Sequence, residues 1–227
     1  MIACYIPTYY KDENSIALLD RAVQSVLNQT SSDYHLLIVG DDYENLSEFK
    51  ALCSSYPSEK VSYINLPVAL ERCKYPAGSE ELWCAGGVNA GNCAIDYFLE
   101  KGYSWVARLD HDDFWDSNHL STLSELTKLE NAVFACTRMR VADGQQSPSL
   151  FHFPGEMVYE IIPQRTIIGH SGTCIDFSKI PIRYRDCFAE GFGKTPADAD
   201  ILDRLGGYTQ SHNLKGYFSG RVTTTHG

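Results

Sequence analysis

The sequence predicts an α/β fold: a mostly parallel central sheet flanked by helices, with a smaller mixed β region in the second half, in one domain of 227 residues. Three observations carry this. Short apolar runs alternate with helical repeats through the first hundred residues. The runs are apolar almost continuously, as strands buried on both faces must be. Polar clusters follow their carboxyl ends.

Each element has its own reason. "IACYIP" (2–7) is an apolar run closed by a proline. From Asn14 to Gln29, residues Ile16, Leu19, Val23 and Val26 fall on one helical face, with Asn14 or Ser15 placed to cap the start. "YHLLIVG" (34–40) is a second buried strand, the acidic turn "DDYEN" follows it, and 45–55 suits a helix. "VSYINL" (61–66) is a third strand, and 67–80 reads as a polar loop. "GGVNAGNCAIDYFLEKG" is a glycine-led turn into a helix, and "YSWVARL" is a fourth strand. A parallel sheet of this kind binds ligands outside the carboxyl ends of its strands. That is where "PTYY", "GDDYEN" and "DHDDFW" all fall.

The second half is less regular. A helix is expected over 117–129, a strand and turn over 131–144, and short strands around "IIGHSG" within 156–180. A short helix over 195–207 is expected to stop at Gly206 and Gly207. "GYFSGRVTTTHG" closes as a β tail, with no linker or internal repeat along the chain.

Composition excludes several partners. The net charge is −10, and no Lys/Arg cluster offers the basic face that nucleic acid or an anionic membrane needs. A phosphate-bearing ligand would need a divalent cation between itself and so acidic a site. The first residues already read as a strand, leaving no room for a leader, and no apolar run approaches the roughly 20 residues of a membrane span. A cytoplasmic location is expected. The eight cysteines form no CxxC, and several sit inside apolar runs, so buried free thiols are expected rather than a zinc site.

The stretch "SWVARLDHDDFW" (104–115) holds the chemistry. Asp110, Asp112 and Asp113 crowd three repelling carboxylates onto a strand end. One reading makes Asp113 or Asp116 a cap for the following helix. That leaves the clustering unexplained, whereas a hard divalent cation, Mn²⁺ or Mg²⁺, relieves it.

Here the chain resembles a family. "RLDHDD" is similar to the Asp-x-Asp signature of GT-A fold nucleotide-sugar glycosyltransferases, in the "LDxDD" form of the large inverting family 2. "IPTYY" with the helix "SIALLDRAVQSVLNQT" resembles that family's opening, and "YHLLIVGDDYEN" its acidic second strand end. "GGVNAGNCAI" resembles the segment before the Asp-x-Asp strand, and "PADADILDRL" the segment carrying the base. The five motifs stand in the family's order, along most of the chain.

The resemblance implies a single GT-A (Rossmann-like) domain over 1–227, with 1–115 as the nucleotide-binding half and 116–227 as the acceptor-binding half. It implies a metal-dependent, inverting transfer from a UDP-sugar or dTDP-sugar to an acceptor glycan hydroxyl. Pro7, Thr8 and Tyr9 would line the base pocket. Asp42 would accept from the base N3–H, with Asp41 facing solvent. Asp110 would bond the ribose or a metal-bound water. Asp112 would bind Mn²⁺ or Mg²⁺, with Asp113 helping or ligating directly. Asp198 would be the general base, and helical spacing turns Asp200 away from it. Ala197 departs from the family, which has Glu there, and the arginine of its "ArN" segment is absent. Arg72 or Lys74 would supply that cation.

Several further residues carry weaker readings. Arg108 sits on Asp110's side of the strand, to steady the cluster or touch phosphate. Asn92 (or Asn89) would orient the loop near the ribose. His226 is either a third metal ligand or a tail residue. His170 lies where the family approaches the acceptor, or is a structural histidine. Trp115, Trp83 and Phe192 are platforms for sugar rings or core residues, and Asp200 is an outer acceptor contact. The length leaves room for a partner domain or subunit. Two rivals differ in class: a sugar nucleotidyltransferase, which needs a glycine-rich first loop that "IPTYYKDEN" lacks, and a non-catalytic binding module on the same fold.

Overall fold

The computed structural model describes residues 1–141, 145–147, 153–165 and 169–227. The expected turn after 140 and part of the stretch before "GHSG" lie outside these residues.

The first apolar run forms β1 (Ile2–Thr8), buried over its whole length. After α1 (Ser15–Leu27) come β2 (Tyr34–Asp41), α2 (Leu46–Ser54) and β3 (Val61–Leu66). Asn14 stands at the start of α1 without a side-chain cap. Ser15 Oγ instead accepts from the Lys11 and Asp12 amides at 2.9 and 3.0 Å, tightening the turn between β1 and the helix.

The expected polar loop after β3 contains two short helices, α3 (Leu70–Lys74) and α4 (Glu80–Ala85). Then follow α5 (Val88–Glu100), β4 (Trp105–Arg108), β5 (Phe114–Trp115) and α6 (His119–Leu126). The second half adds β6 (Ala132–Arg140), β7 (Gln146–Ser147), β8 (Val158–Ile161), β9 (Thr173–Asp176), α7 (Ala197–Ser211) and β10 (Lys215–Thr225).

One sheet runs through both halves in the order β3-β2-β1-β4-β9-β6-β10-β5. Its first four strands are parallel, and β9 joins them to the β6–β10 pair by running antiparallel to both β4 and β6. The chain steps outward from β1 to β2 and β3, then returns to place β4 on the other side of β1. The carboxyl ends of β1 and β4 therefore frame the switch point at which such sheets open a crevice.

Alternation along the strands feeds two cores. Ile2, Cys4 and Ile6 pack with Leu19, Val23, Phe49 and Leu123 on one face. Ala3 and Tyr5 pack with Ile95, Phe98, Ile201 and Leu205 on the other. α7 does not stop at its glycines: it continues to Ser211. A β-carbon on Gly206 would lie 2.2 Å from the Pro163 carbonyl oxygen, so this glycine serves close packing against the chain before α7. No described helix is long and apolar enough to cross a membrane.

Candidate active site

A cleft of about 660 Å³ opens at the switch point. Pro7, Thr8 and Tyr9 reach it from the end of β1, and Asp41 from the end of β2. Arg108, Asp110 and Asp112 reach it past β4. Glu71, Arg72 and Trp83 reach it from the two short helices that no sequence motif marked.

At one end of the cleft Arg72 organises the polar groups. Its guanidinium donates to the Asp41 and Asp42 carbonyls, with Nε 3.4 Å from Asp41 Oδ2. It also lies over the Tyr9 ring, 5.5 Å from its centre. Asp41 is buried, and its Oδ1 has no partner among the described residues. Burial pushes its carboxyl above the ordinary range, against the pull of Arg72. Asp42 is exposed, with φ at 47°. This reverses the expected orientation: the left-handed turn at Asp42 sends it to solvent and leaves Asp41 on the cleft. Of the two candidate cations Arg72 lines the cleft, whereas Lys74 pairs with Asp186 at 2.8 Å. Glu71 is also buried there; its Oε1 accepts from the Asn89 amide at 2.9 Å, while Oε2 has no partner among the described residues. A carboxylate in a five-residue helix carries no sequence signal, so Glu71 was missed.

The acidic strand end divides its labour. Arg108 Nε donates to Asp110 Oδ1 at 2.8 Å. Burial alone would raise the Asp110 carboxyl, but Arg108 outweighs it and holds that group below the usual carboxylate range. Asp112 lines the cleft, and its carboxylate makes no hydrogen bond or ion pair with the described residues. Asp113 is buried and both its oxygens are engaged: Oδ2 by Ser171 Oγ at 2.5 Å, Oδ1 by His226 Nδ1 at 2.7 Å and the Gly227 amide at 3.2 Å. The expectation of Asp113 as a metal ligand is corrected on that ground, because it orients His226 instead. The same contact ties down the tail at His226. Ser171, which also accepts from the Asp110 amide at 3.1 Å, was missed although it directly follows His170.

A smaller pocket of about 130 Å³ adjoins the cleft, sharing Trp83, Gly86, Arg108 and Asp110 with it. His170 and Asp198 line it as well. Asp198 stands in the first turn of α7, half-buried, accepting from the Ala199 amide at 2.7 Å. Asp200 points away and is buried between Arg185 (2.6 Å) and Arg204 (2.7 Å). It anchors α7, which removes it from the acceptor contacts expected.

Two other expectations change. Asn92 bonds both backbone groups of Tyr184 at 2.9 Å and so clamps that segment rather than reaching a ribose. Trp115 is buried, stacked on His119, with Nε1 donating to the Ser171 carbonyl at 2.6 Å, so it is a core residue. Trp83, by contrast, is 73% exposed on the rim of both pockets. Phe192 is exposed under the Arg185 guanidinium, 3.7 Å from its ring centre.

No protein-family model matches the chain. Among named proteins it is similar to an uncharacterized glycosyltransferase, R139, of Acanthamoeba polyphaga mimivirus, 29% identical over 88% of this chain and 82% of the relative. It is also similar to WcaA of Escherichia coli, a putative colanic acid biosynthesis glycosyl transferase, 24% identical over 90% of this chain and 66% of the relative. Among solved structures, S. aureus TarS (1–349) in complex with UDP superposes over 99% of this chain and 60% of its own, with a TM-score of 0.66 at 12% identity. The mannosyltransferase PcManGT of Pyrobaculum calidifontis, in complex with GDP-Man and Mn²⁺, gives 0.62 at 10% identity, over 99% of this chain and 56% of its own. The chain thus spans less than two thirds of the length of these solved structures. The strand-end crevice and the named relatives agree: the chain has the GT-A-like fold of these glycosyltransferases and is similar in sequence to proteins named as glycosyltransferases.

Proposed function

We propose that the chain transfers a sugar from a nucleoside diphosphate donor, with UDP-sugars or dTDP-sugars favoured, to a glycan hydroxyl with inversion, and that Asp198 is the general base. The observation that carries this is the small pocket beside the nucleotide cleft, where Asp198 has an open carboxylate while its neighbour Asp200 is consumed by two arginines.

At the base end, the unpartnered Asp41 Oδ1 suits an N3–H, and Arg72 suits a neighbouring carbonyl. Uracil and thymine carry that pair on one edge, and cytosine lacks the N3–H. This puts Asp41 in the role the sequence assigned to Asp42. Tyr9, held under Arg72, offers a ring to the base. Asp110, kept ionised by Arg108, accepts from a ribose hydroxyl.

A divalent cation fits these residues in a limited way. Among the described residues no three His, Cys, Asp or Glu groups gather closely enough to hold one alone. Yet Asp112 is open on the cleft, and His226 has one ring nitrogen fixed by Asp113 in the manner of a second-layer carboxylate. Asp112 and His226 would hold Mn²⁺ or Mg²⁺, with phosphate and water supplying the remaining positions. When bound, the cation supplies charge neutralisation for the departing diphosphate. Asp198 accepts the proton of the attacking hydroxyl.

Calorimetric titration of UDP, dTDP, GDP, CDP and ADP, each with and without Mn²⁺, tests the reading. UDP or dTDP binding only with metal is expected, and Asp112→Asn is expected to weaken it roughly 10- to 100-fold, the worth of one charge-assisted contact. Binding of no nucleotide under either condition overturns the donor reading. UDP affinity unchanged in Asp112→Asn removes that residue from the metal site. Neither rival, nucleotidyltransferase or binding module, draws support from the named relatives.

A further inference from the structure

We infer that His170 presents a fixed N–H donor, at Nδ1, to a hydroxyl oxygen of the donor sugar in the small pocket, and that a buried pair of tyrosines sets this tautomer. The inference rests on the donor reading above and adds the group that reads the sugar.

The geometry begins with Tyr5. Its hydroxyl donates to the Tyr184 hydroxyl at 3.0 Å, and Tyr184 Oη lies 2.8 Å from His170 Nε2. The Arg108 guanidinium stands over the Tyr184 ring, 5.4 Å from its centre, and its charge favours turning the lone pairs of Tyr184 Oη toward it. With one lone pair receiving Tyr5 and the other facing a cation, Tyr184 has its own proton left to give, and gives it to Nε2. The neutral ring then carries its proton on Nδ1.

That atom is buried and has no partner among the described residues. It belongs to a residue lining the pocket that holds Asp198 and Arg108. A buried, unpartnered N–H on a pocket-lining residue calls for an acceptor oxygen, since buried donors are otherwise paired, and in this inference the sugar hydroxyl supplies it. Burial, reinforced by Arg108, pushes the His170 pKa down to about 4, so the ring stays neutral and the assignment holds across the working range.

The surroundings keep the ring in place. Asn92 grips the Tyr184 backbone from both sides at 2.9 Å. A β-carbon on Gly91 would lie 2.9 Å from the Tyr184 ring, so glycine there lets the tyrosine close against α5. The pocket adjoins the nucleotide cleft through Arg108 and Asp110. A sugar joined to a diphosphate in that cleft enters it directly, beside the proposed base.

Two substitutions separate binding from structure. In His170→Asn the side-chain amide occupies the Nδ1 position and loses the Tyr184 contact. In His170→Gln the amide reaches the Nε2 position, keeping Tyr184 and losing the donor. Both variants and the wild-type chain are titrated with UDP and GDP, and with UDP-glucose, UDP-N-acetylglucosamine and GDP-mannose as probes. His170→Gln is expected to weaken the best sugar nucleotide roughly 10- to 100-fold relative to its bare nucleotide, with His170→Asn recovering most of that loss. Recovery by Gln instead of Asn, equal loss for the bare nucleotide, or wild-type affinity in both variants overturns the role of His170. If the wild-type chain binds none of the sugar nucleotides, the donor reading itself fails and this inference with it.

Discussion

The acidic strand end and the acidic start of α7 look alike in sequence and are built differently. In "DHDD" and in "ADAD" one carboxylate stays open toward a pocket while a near neighbour is locked in place. Asp112 and Asp198 are the open members; Asp113 and Asp200 are locked. The locks differ in kind. Asp200 is held by two guanidinium groups at 2.6 and 2.7 Å, whereas Asp113 is held by a serine hydroxyl and an imidazole. Charge therefore concentrates at the strand end and is cancelled beside α7. The strand end keeps an open carboxylate where the proposed cation would sit, and the helix start keeps a single open carboxylate, the proposed base.

The sharpest way to break this contrast is to remove the open acid at the helix. Asp198→Asn preserves shape and removes the proton acceptor. Transfer is expected to fall about 10²- to 10⁴-fold, the usual worth of a general base. UDP affinity should not change, because Asp198 does not line the cleft proposed for the nucleotide. Turnover close to wild type would move the base elsewhere and end the parallel between the two acid pairs.

The locked acid should behave in the opposite way. Asp200→Asn leaves Arg185 and Arg204 without their counter-charge. Both arginines are about a quarter exposed, so solvent softens the loss to about 2–3 kcal/mol, below the figure for a fully buried pair. Urea unfolding measures it. The pH dependence sharpens the test. Burial pushes the Asp200 carboxyl upward, but the two arginines outweigh it and hold it below the ordinary range. A lowered folded-state value contributes stability that is present above the unfolded value of about 3.9 and is lost as pH falls through the folded one. The wild-type unfolding midpoint should therefore drop in acid, and Asp200→Asn should flatten that limb. An equally steep limb in the variant would mean the arginines do not hold Asp200 ionised.

How much of this was legible in sequence follows the same division. The first three strands, α1 and α5 were readable because buried strands and amphipathic helices write themselves as apolar runs and periods. The polar strand ends were readable from position alone. What remained hidden depended on one backbone angle or on distant partners. The left-handed turn at Asp42 decided which of two adjacent aspartates faces the cleft. Asn92 was claimed by Tyr184, 92 residues away. Trp115 was claimed by Ser171, 56 residues away. Gly206 reads as a helix stop until the Pro163 carbonyl is seen against it. Glu71 rides on a helix too short to show a period.

Trp83 supplies the smallest test, and it lies where the two acid territories meet. It lines both the cleft that holds Asp112 and the pocket that holds Asp198, yet it is 73% exposed. A ring that exposed contributes little to folding, so Trp83→Ala should change stability by no more than about 0.5 kcal/mol. If the ring covers a sugar spanning the two pockets, its loss removes a face-on contact worth about 0.5–1.5 kcal/mol, which raises the KM for sugar nucleotide by roughly 2- to 12-fold and weakens bare nucleotide by less. A change in stability with no change in KM would make Trp83 a support for α4 instead. The cleft and the pocket would then be two sites that share a wall, with no sugar bridging them at that edge.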